Sequence, residues 1–395
     1  MPDTIGDRLR KARKRAGLSQ GDLARESGVS YSLIQQLEQG ARTDTRLETA
    51  RKLAAALRVP TTKLLTEHAE EAADDATADQ WTRVRRAAVG LYDGDADEIN
   101  EPPTIEGVKA ALDATDRLFA VGHFGRLGSL LPPLIRDAET LAELTPEGRQ
   151  LRVRITQLVG WLLTQTRQFD SAEDVLARVI ADAPDRLQAA AAVNTQGWLL
   201  LRRGRLAEAA ALAERWADEL EPPRMSRATM GELSAWGSML LRVSAAGARD
   251  ARDVEADDAL RLAQSVAVAM GREHAAREDR LRTFGPTTVA LKQAENAMIM
   301  DQPEEVLRLA QNVPTGGLRP TKNNLNRHLL DVADAQARLR RHQEAVQTML
   351  GILRDSPEWL PNQRYARDIV GRVVERRRTL TPQMRVLADV VRLPM

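Results

Sequence analysis

Residues 17–40 read Gly-Leu-Ser-Gln-Gly-Asp-Leu-Ala-Arg-Glu-Ser-Gly-Val-Ser-Tyr-Ser-Leu-Ile-Gln-Gln-Leu-Glu-Gln-Gly. No other stretch of the chain limits the fold so tightly. Ser19 is placed to cap a helix, and Asp22 three residues later completes a capping box. Leu23 and Ala24 begin an apolar face, with Ala24 small enough for a close helix crossing. Gly28 allows the left-handed backbone of a sharp turn, and Val29 plugs that turn into a core. Ser30 caps a second helix whose Ile34 and Leu37, three apart, face inward. Tyr31, Ser32, Gln35 and Gln36 are left on or near the outer face. Two short helices joined in this way present a polar cylinder of a size that enters the major groove of DNA.

The outward residue types suit that role. A Gln amide bonds adenine bidentately, so Gln20, Gln35 and Gln36 are candidates for base-edge contact. Tyr31 and Ser32 lie at the end that enters the groove first. Arg42 and Thr43 follow the second helix and are candidates for phosphate contacts, which set docking register rather than sequence. Residues 1–66 hold thirteen Lys and Arg against seven Asp and Glu, a net +6 on a chain whose total is only +1. A basic module on a neutral body is an electrostatic footprint of nucleic-acid binding.

Ser19–Gly40 matches the pattern Ser-Gln-x-x-Leu-Ala-x-x-x-Gly-Val-Ser-x-x-x-Ile-x-x-Leu-Glu-x-Gly throughout. In this it resembles the Cro/CI-type (XRE) helix–turn–helix repressors. The resemblance covers about the first 65 residues. It implies a five-helix head, with helix one at Ile5–Ala16, helix four at Thr45–Leu57 and a short helix five at Pro60–Leu65. It puts Gln20, Tyr31, Ser32 and Gln36 at DNA-contacting positions and pairs Arg13 with Glu38. Arg42-Thr43 replaces the Pro-containing stretch common after the glycine.

Residues 67–79 carry six acids, no Lys or Arg and no large apolar side chain, so they read as a linker. A second loop-like break lies at Tyr92–Thr104. The domain reading is therefore a head at 1–66, a linker at 67–79 and a body at 80–395. From Thr104 onward helical periodicity dominates, and the expected fold is all-α.

The body repeats. Gly160-Trp161 and Gly197-Trp198 are 37 residues apart, and each Gly is followed twelve positions later by an Ala, at 172 and 209. Ala333/Ala345 keeps that spacing, Ala294/Val306 fits loosely and Thr115/Leu127 weakly. Gly237/Ala259 fits only with a turn lengthened by ten residues around Ala245–Val254. Small residues let paired helices approach, and each pair packs on the next. The pattern resembles the tetratricopeptide repeat, which implies an α-solenoid of degenerate helical hairpins with first helices lining a concave groove. Tyr365–Leu393 reads as a final hairpin or cap. By that analogy the groove residues are Gln157, Trp161, Gln165, Asn194, Trp198, Arg202, Ser238, Arg242, Lys292, Glu295, Asp334 and Arg338. Core packing is an equal claim on the two tryptophans, and ordinary surface charge a stronger one on the arginines.

A Cro/CI-type head on such a body resembles the RRNPP group of bacterial signalling regulators. That layout implies a homodimer acting on double-stranded operator DNA, under a peptide or small-molecule effector. A regulator controlled by a partner protein, or an antitoxin-like scaffold, is the other reading. No phosphate loop, His-Glu-x-x-His or nucleophile elbow occurs, so no enzyme, cofactor or metal is expected. His274 beside Glu273 and Glu278 is the best metal-like cluster, and a solvated turn is its simpler explanation. The chain has no cysteine, no apolar run of membrane-spanning length and an acidic N-terminus unlike a signal peptide, so a cytoplasmic location is expected.

Overall fold

A computed structural model describes residues 4–42, 45, 47–59, 61, 64, 81–91, 102–277, 279–313, 318, 320–375 and 379–393. Nineteen α-helices are found among them, and the only strand-like pairing is an isolated bridge between His274 and Phe284. The linker 67–79, Thr43 and Glu278 lie outside the described residues, as does most of the expected fifth helix.

The head contains α1 (Ile5–Arg15), α2 (Gln20–Ser27), α3 (Tyr31–Glu38) and α4 (Leu47–Ala56). Their core joins Leu9, Leu23, Ile34, Leu37, Leu53 and Leu64, all essentially without solvent contact. Gly6 marks the closest crossing of α1 and α3: a Cβ there would stand 1.9 Å from the Leu37 carbonyl oxygen. Ala24, read as small enough for a close helix crossing, packs partly buried against the same core.

The remaining helices are α5 (Thr82–Ala88), α6 (Ile105–Val121), α7 (Phe124–Leu144), α8 (Pro146–Gln165), α9 (Phe169–Asp182), α10 (Arg186–Arg203) and α11 (Leu206–Leu220). They continue with α12 (Met230–Arg249), α13 (Asp253–Met270), α14 (Pro286–Ile299), α15 (Pro303–Gln311), α16 (Lys322–Arg338), α17 (His342–Asp355), α18 (Arg364–Val374) and α19 (Pro382–Val390). Short 3₁₀ turns occur at Met225–Arg227 and Leu360–Asn362.

One turn recurs at the joint of each hairpin from α6/α7 to α16/α17. A left-handed residue ends the first helix: Gly122, Arg167, Gly204, Ala251, Asp301 and Arg340 in turn. The next residue's N–H bonds five positions back, as in His123 to Leu118, Gln168 to Leu163 and Arg205 to Leu200. Arg252 to Gly247, Gln302 to Ala297 and Arg341 to Gln336 repeat it. This is the Schellman closure, which satisfies carbonyls that the helix end leaves without partners. Seven residues before each left-handed residue, and five after it, stand two buried positions: 115/127, 160/172, 197/209, 244/256, 294/306 and 333/345. The register of the fourth hairpin thus differs from the sequence reading. It is Ser244/Ala256, not Gly237/Ala259, and α12 runs unbroken to Arg249 with no lengthened turn. The Ser244 hydroxyl donates to the Ala256 carbonyl at 2.7 Å, so a hydrogen bond replaces a small-residue contact there.

By contact the chain forms two compact units. The first comprises 1–72, 197–221 and 236–265, and the second 73–196, 222–235 and 266–395. In the second, α18 and α19 form the expected final hairpin, with Arg367 Nε donating to the Val391 carbonyl at 2.9 Å.

Candidate nucleic-acid interface

Ser19 with Asp22 forms the capping box anticipated at α2, and Thr4 with Asp7 forms a second, unanticipated one at α1. Hydrogen bonds from Ser19 hold the Asp22 carboxyl below its ordinary range. Gly28 has φ +67°, and the Ser30 hydroxyl accepts the Leu33 N–H at the start of α3. These elements fix which face of α3 is buried. Ile34 and Leu37 have no exposure, whereas Tyr31 is 51% exposed and Ser32 and Gln36 are exposed with it. Gln35 is half-buried, and Arg42 is exposed with its N–H bonded to the Gln36 carbonyl.

Gln20 and Glu38 belong to one network. Arg13 holds both Glu38 oxygens, with its Nε at 2.6 Å from one and its Nη2 at 2.7 Å from the other. A third guanidinium nitrogen donates to the Leu18 carbonyl at 2.9 Å. Gln20 Nε2 adds a bond to Glu38 at 2.8 Å. Burial pushes the Glu38 carboxyl up, but the bonds and charge of Arg13 and the Gln20 bond outweigh it and hold the group below its usual value. The Glu38 side chain is 3% exposed, so this is an inner clamp and not the surface pair a sequence alone would allow. It locks α1 to α3 and fixes the plane of the Gln20 amide, which keeps its oxygen and a second N–H for another partner.

Sequence reading missed how the head is held within its unit. Arg51 of α4 is buried, and its Nε donates to the Ala248 carbonyl while Nη2 meets Asp253 at 3.1 Å. Buried Thr61 donates its N–H to the Asp250 carbonyl at 3.1 Å and its hydroxyl to Arg249 at 3.0 Å. The head thereby caps the C-terminal carbonyls of α12. These partners lie about 190–200 residues away in sequence, beyond any local pattern.

The expected groove residues fall in both units. Trp161 is buried, edge-to-face on Phe119 with centroids 4.6 Å apart. Gln157 is buried with its Nε2 lacking a partner among the described residues, and Gln165 and Asn194 are buried too. Trp198 is half-buried beneath the Arg202 guanidinium, 5.2 Å from the ring centroid. Ser238 is half-buried, and the Arg242 stem covers Gly197. Lys292 pairs with buried Glu295. Asp334 has no exposure and accepts from Arg338 at 2.9 Å, Arg372 at 3.1 Å and the Tyr365 hydroxyl at 3.2 Å.

The Glu273 carboxylate receives Thr283 and the N–H groups of Thr287 and Thr288 at the head of α14. It is a helix cap. No group able to hold a metal occurs among the described residues, and no described helix is long and apolar enough to cross a membrane.

A capped, cross-linked pair of helices with an open polar face defines a helix–turn–helix DNA-binding protein. Residues 9–64 match the helix-turn-helix family model. The chain is 31% identical over 85 residues to the HTH-type transcriptional regulator SinR of Bacillus subtilis strain 168, covering 22% of this chain and 77% of that one. The SinR of Bacillus licheniformis matches with the same identity and coverage. The chain belongs to this helix–turn–helix family of transcriptional regulators. Among solved structures, Bacillus thuringiensis PlcR in complex with the peptide PapR7 and DNA aligns at 12% identity and a TM-score of 0.35, over 78% of this chain and 94% of that one.

Proposed function

We propose that the protein is an operator-specific transcription regulator whose body, residues 80–395, binds an effector that alters DNA binding. The observation that carries the DNA half is the α3 face: Tyr31, Ser32 and Gln36 are exposed on a helix whose other side is locked in the core. Gln36 and Gln20 read base edges, Tyr31, Ser32 and Gln35 line the same surface, and Arg42 with Thr43 meets the phosphates. Two copies acting as a dimer would place their α3 helices on half-sites about 34 Å apart, or a multiple of it.

The effector half rests on the body's chemistry. Its first helices bury amides and charges, Gln157, Asn194 and Glu295 among them, and the Gln157 Nε2 has no hydrogen-bond partner among the described residues. A short peptide is the ligand that such amides suit, because they donate to and accept from a backbone at once. In this reading 67–79 tethers head to body, and the effector shifts the population of chains able to dock on DNA.

The test is selection of bound sequences from random duplexes, followed by gel shift of the recovered site with and without peptide extracts of the producing cells. Recovery of a near-palindromic site whose affinity responds to extract is the expected result. Recovery of no preferred sequence would defeat the DNA half, and an extract-insensitive shift the effector half.

A further inference from the structure

The second compact unit contains a cleft of about 320 Å³. That is at the small end of the roughly 300–1,000 Å³ range of ligand sites. Most of the expected groove residues are absent from its lining; only Trp161 belongs to both. The cleft joins the first hairpin, α6/α7, to the start of α16 and the turn after α17. Glu358 fastens those parts, accepting the Gly125 N–H at 2.8 Å and meeting His123 Nδ1 at 3.2 Å.

Four aromatic rings line it: Phe119, Phe124, Trp161 and Trp359. Its charges are few and separated along the lining. Asp116 comes from α6 and pairs with Arg280 at 3.0 Å, and Arg280 also reaches Asp113 at 3.4 Å. Lys322 opens α16 and has no carboxylate partner among the described residues. A lysine there adds positive charge to the positive end of a helix, an arrangement that an anion relieves. Thr321 makes no side-chain cap at the first N–H groups of α16. Asn323 spends its oxygen on Trp359 Nε1 at 2.8 Å and keeps its amide N–H groups as donors. Anion-binding groups thus gather at the start of α16, and an acid stands on α6.

The charged residues of the lining are Asp116, Arg280 and Lys322, and Asp113 shares Arg280 with Asp116. A ligand carrying both charges answers Lys322 at one end and Asp116 at the other, whereas a lone anion or a lone cation answers only one of them.

We infer that this cleft binds a small zwitterion with an apolar side chain, that is, a free apolar amino acid. Its carboxylate meets Lys322 and the first turn of α16, its ammonium meets Asp116, and its side chain lies among the aromatic rings. Such a ligand bridges the α6/α7 and α16/α17 hairpins and holds the clasp made by Glu358. The inference rests on the reading of the body as an effector domain and replaces an extended ligand at this cleft with a compact one.

Calorimetric titration of the full-length protein with L-phenylalanine, L-leucine and L-tryptophan tests it, beside N-acetyl-L-phenylalanine and L-phenylalaninamide. Binding of at least one free amino acid is expected, with each blocked phenylalanine weaker by at least about tenfold, since each loses a charge-assisted contact. Lys322→Met removes the penalty of the amide, and Asp116→Asn the penalty of the acetyl group, while circular dichroism confirms that both variants fold. Blocked forms that bind as well as the free amino acid overturn the inference, and so does failure of every free amino acid to bind. If end-blocked peptides bind where free amino acids do not, this inference falls and the effector reading survives. If neither they nor cell extract changes operator binding, both fall.

Discussion

Helices α3 and α16 both carry polar side chains that sequence marks for contact with another molecule, and the protein treats them in opposite ways. On α3, Tyr31, Ser32 and Gln36 face solvent. On α16, Asp334 has no exposure and holds Arg338, Arg372 and Tyr365. Residue type is therefore a poor guide to use. A polar group outside the fold stays available to a partner, and one paired inside it, like Asp334, is spent on the fold, because a buried polar group without partners is costly. Substitutions of Tyr31, Ser32 and Gln36 on α3 are expected to change DNA binding and leave stability alone, and substitution of Asp334 on α16 the reverse.

The largest effect is expected from Asp334→Ala. It removes the buried carboxylate that Arg338, Arg372 and the Tyr365 hydroxyl share, leaving Arg338 a second carboxylate in Asp301, and should cost about 3 kcal/mol of unfolding free energy. Thermal and urea unfolding measure it, and an unchanged midpoint would erase the contrast with α3.

His328 sharpens the same point. Burial pushes its imidazole down to about 4 from 6.5. The unfolded chain then binds the proton that the folded chain refuses. Stability is full above about pH 6.5 and falls as pH drops towards 4, by on the order of 3 kcal/mol. His328→Phe should flatten the stability profile over that window. A profile equally steep in the variant would remove His328 as its source.

Gly6→Ala probes the head's scaffold. The added methyl meets the Leu37 carbonyl oxygen, and α1 must move from α3 at a cost of about 1–3 kcal/mol. Unfolding of the head measured by amide exchange should show this loss, with α16 unaffected.

The smallest effect belongs to Ala251, which holds φ +57° at the turn of the fourth hairpin. Ala251→Gly should stabilise by up to about 1 kcal/mol, a shift visible in urea midpoints. Destabilisation would show that the turn is not under backbone strain.

These sites also show what the sequence could reveal. The head was legible because its caps, turn and outer face all lie within 24 consecutive residues. The repeat was legible where the small residue and its partner kept their types, as at Gly160/Ala172 and Ala333/Ala345. It was misplaced at the fourth hairpin, because Ser244 meets its partner helix by a hydrogen bond and Gly237 nearby looked the better small residue. The left-handed turn positions were hidden: glycine stands at two of them, and Arg, Ala or Asp at the rest. Tertiary packing sets that conformation against local preference. The Arg51 and Thr61 contacts with the end of α12 were invisible, since nothing in either segment announces a partner so distant in the chain.

The central claim is that the open face of α3 reads DNA bases. Its most direct measurement compares Gln36→Ala with the unaltered protein on the selected operator and on a panel of single-base variants of it. The account predicts a loss of about 1–3 kcal/mol on the operator, confined to one or two base positions, with the melting temperature unchanged. Equal weakening on every duplex, or no weakening at all, would contradict it.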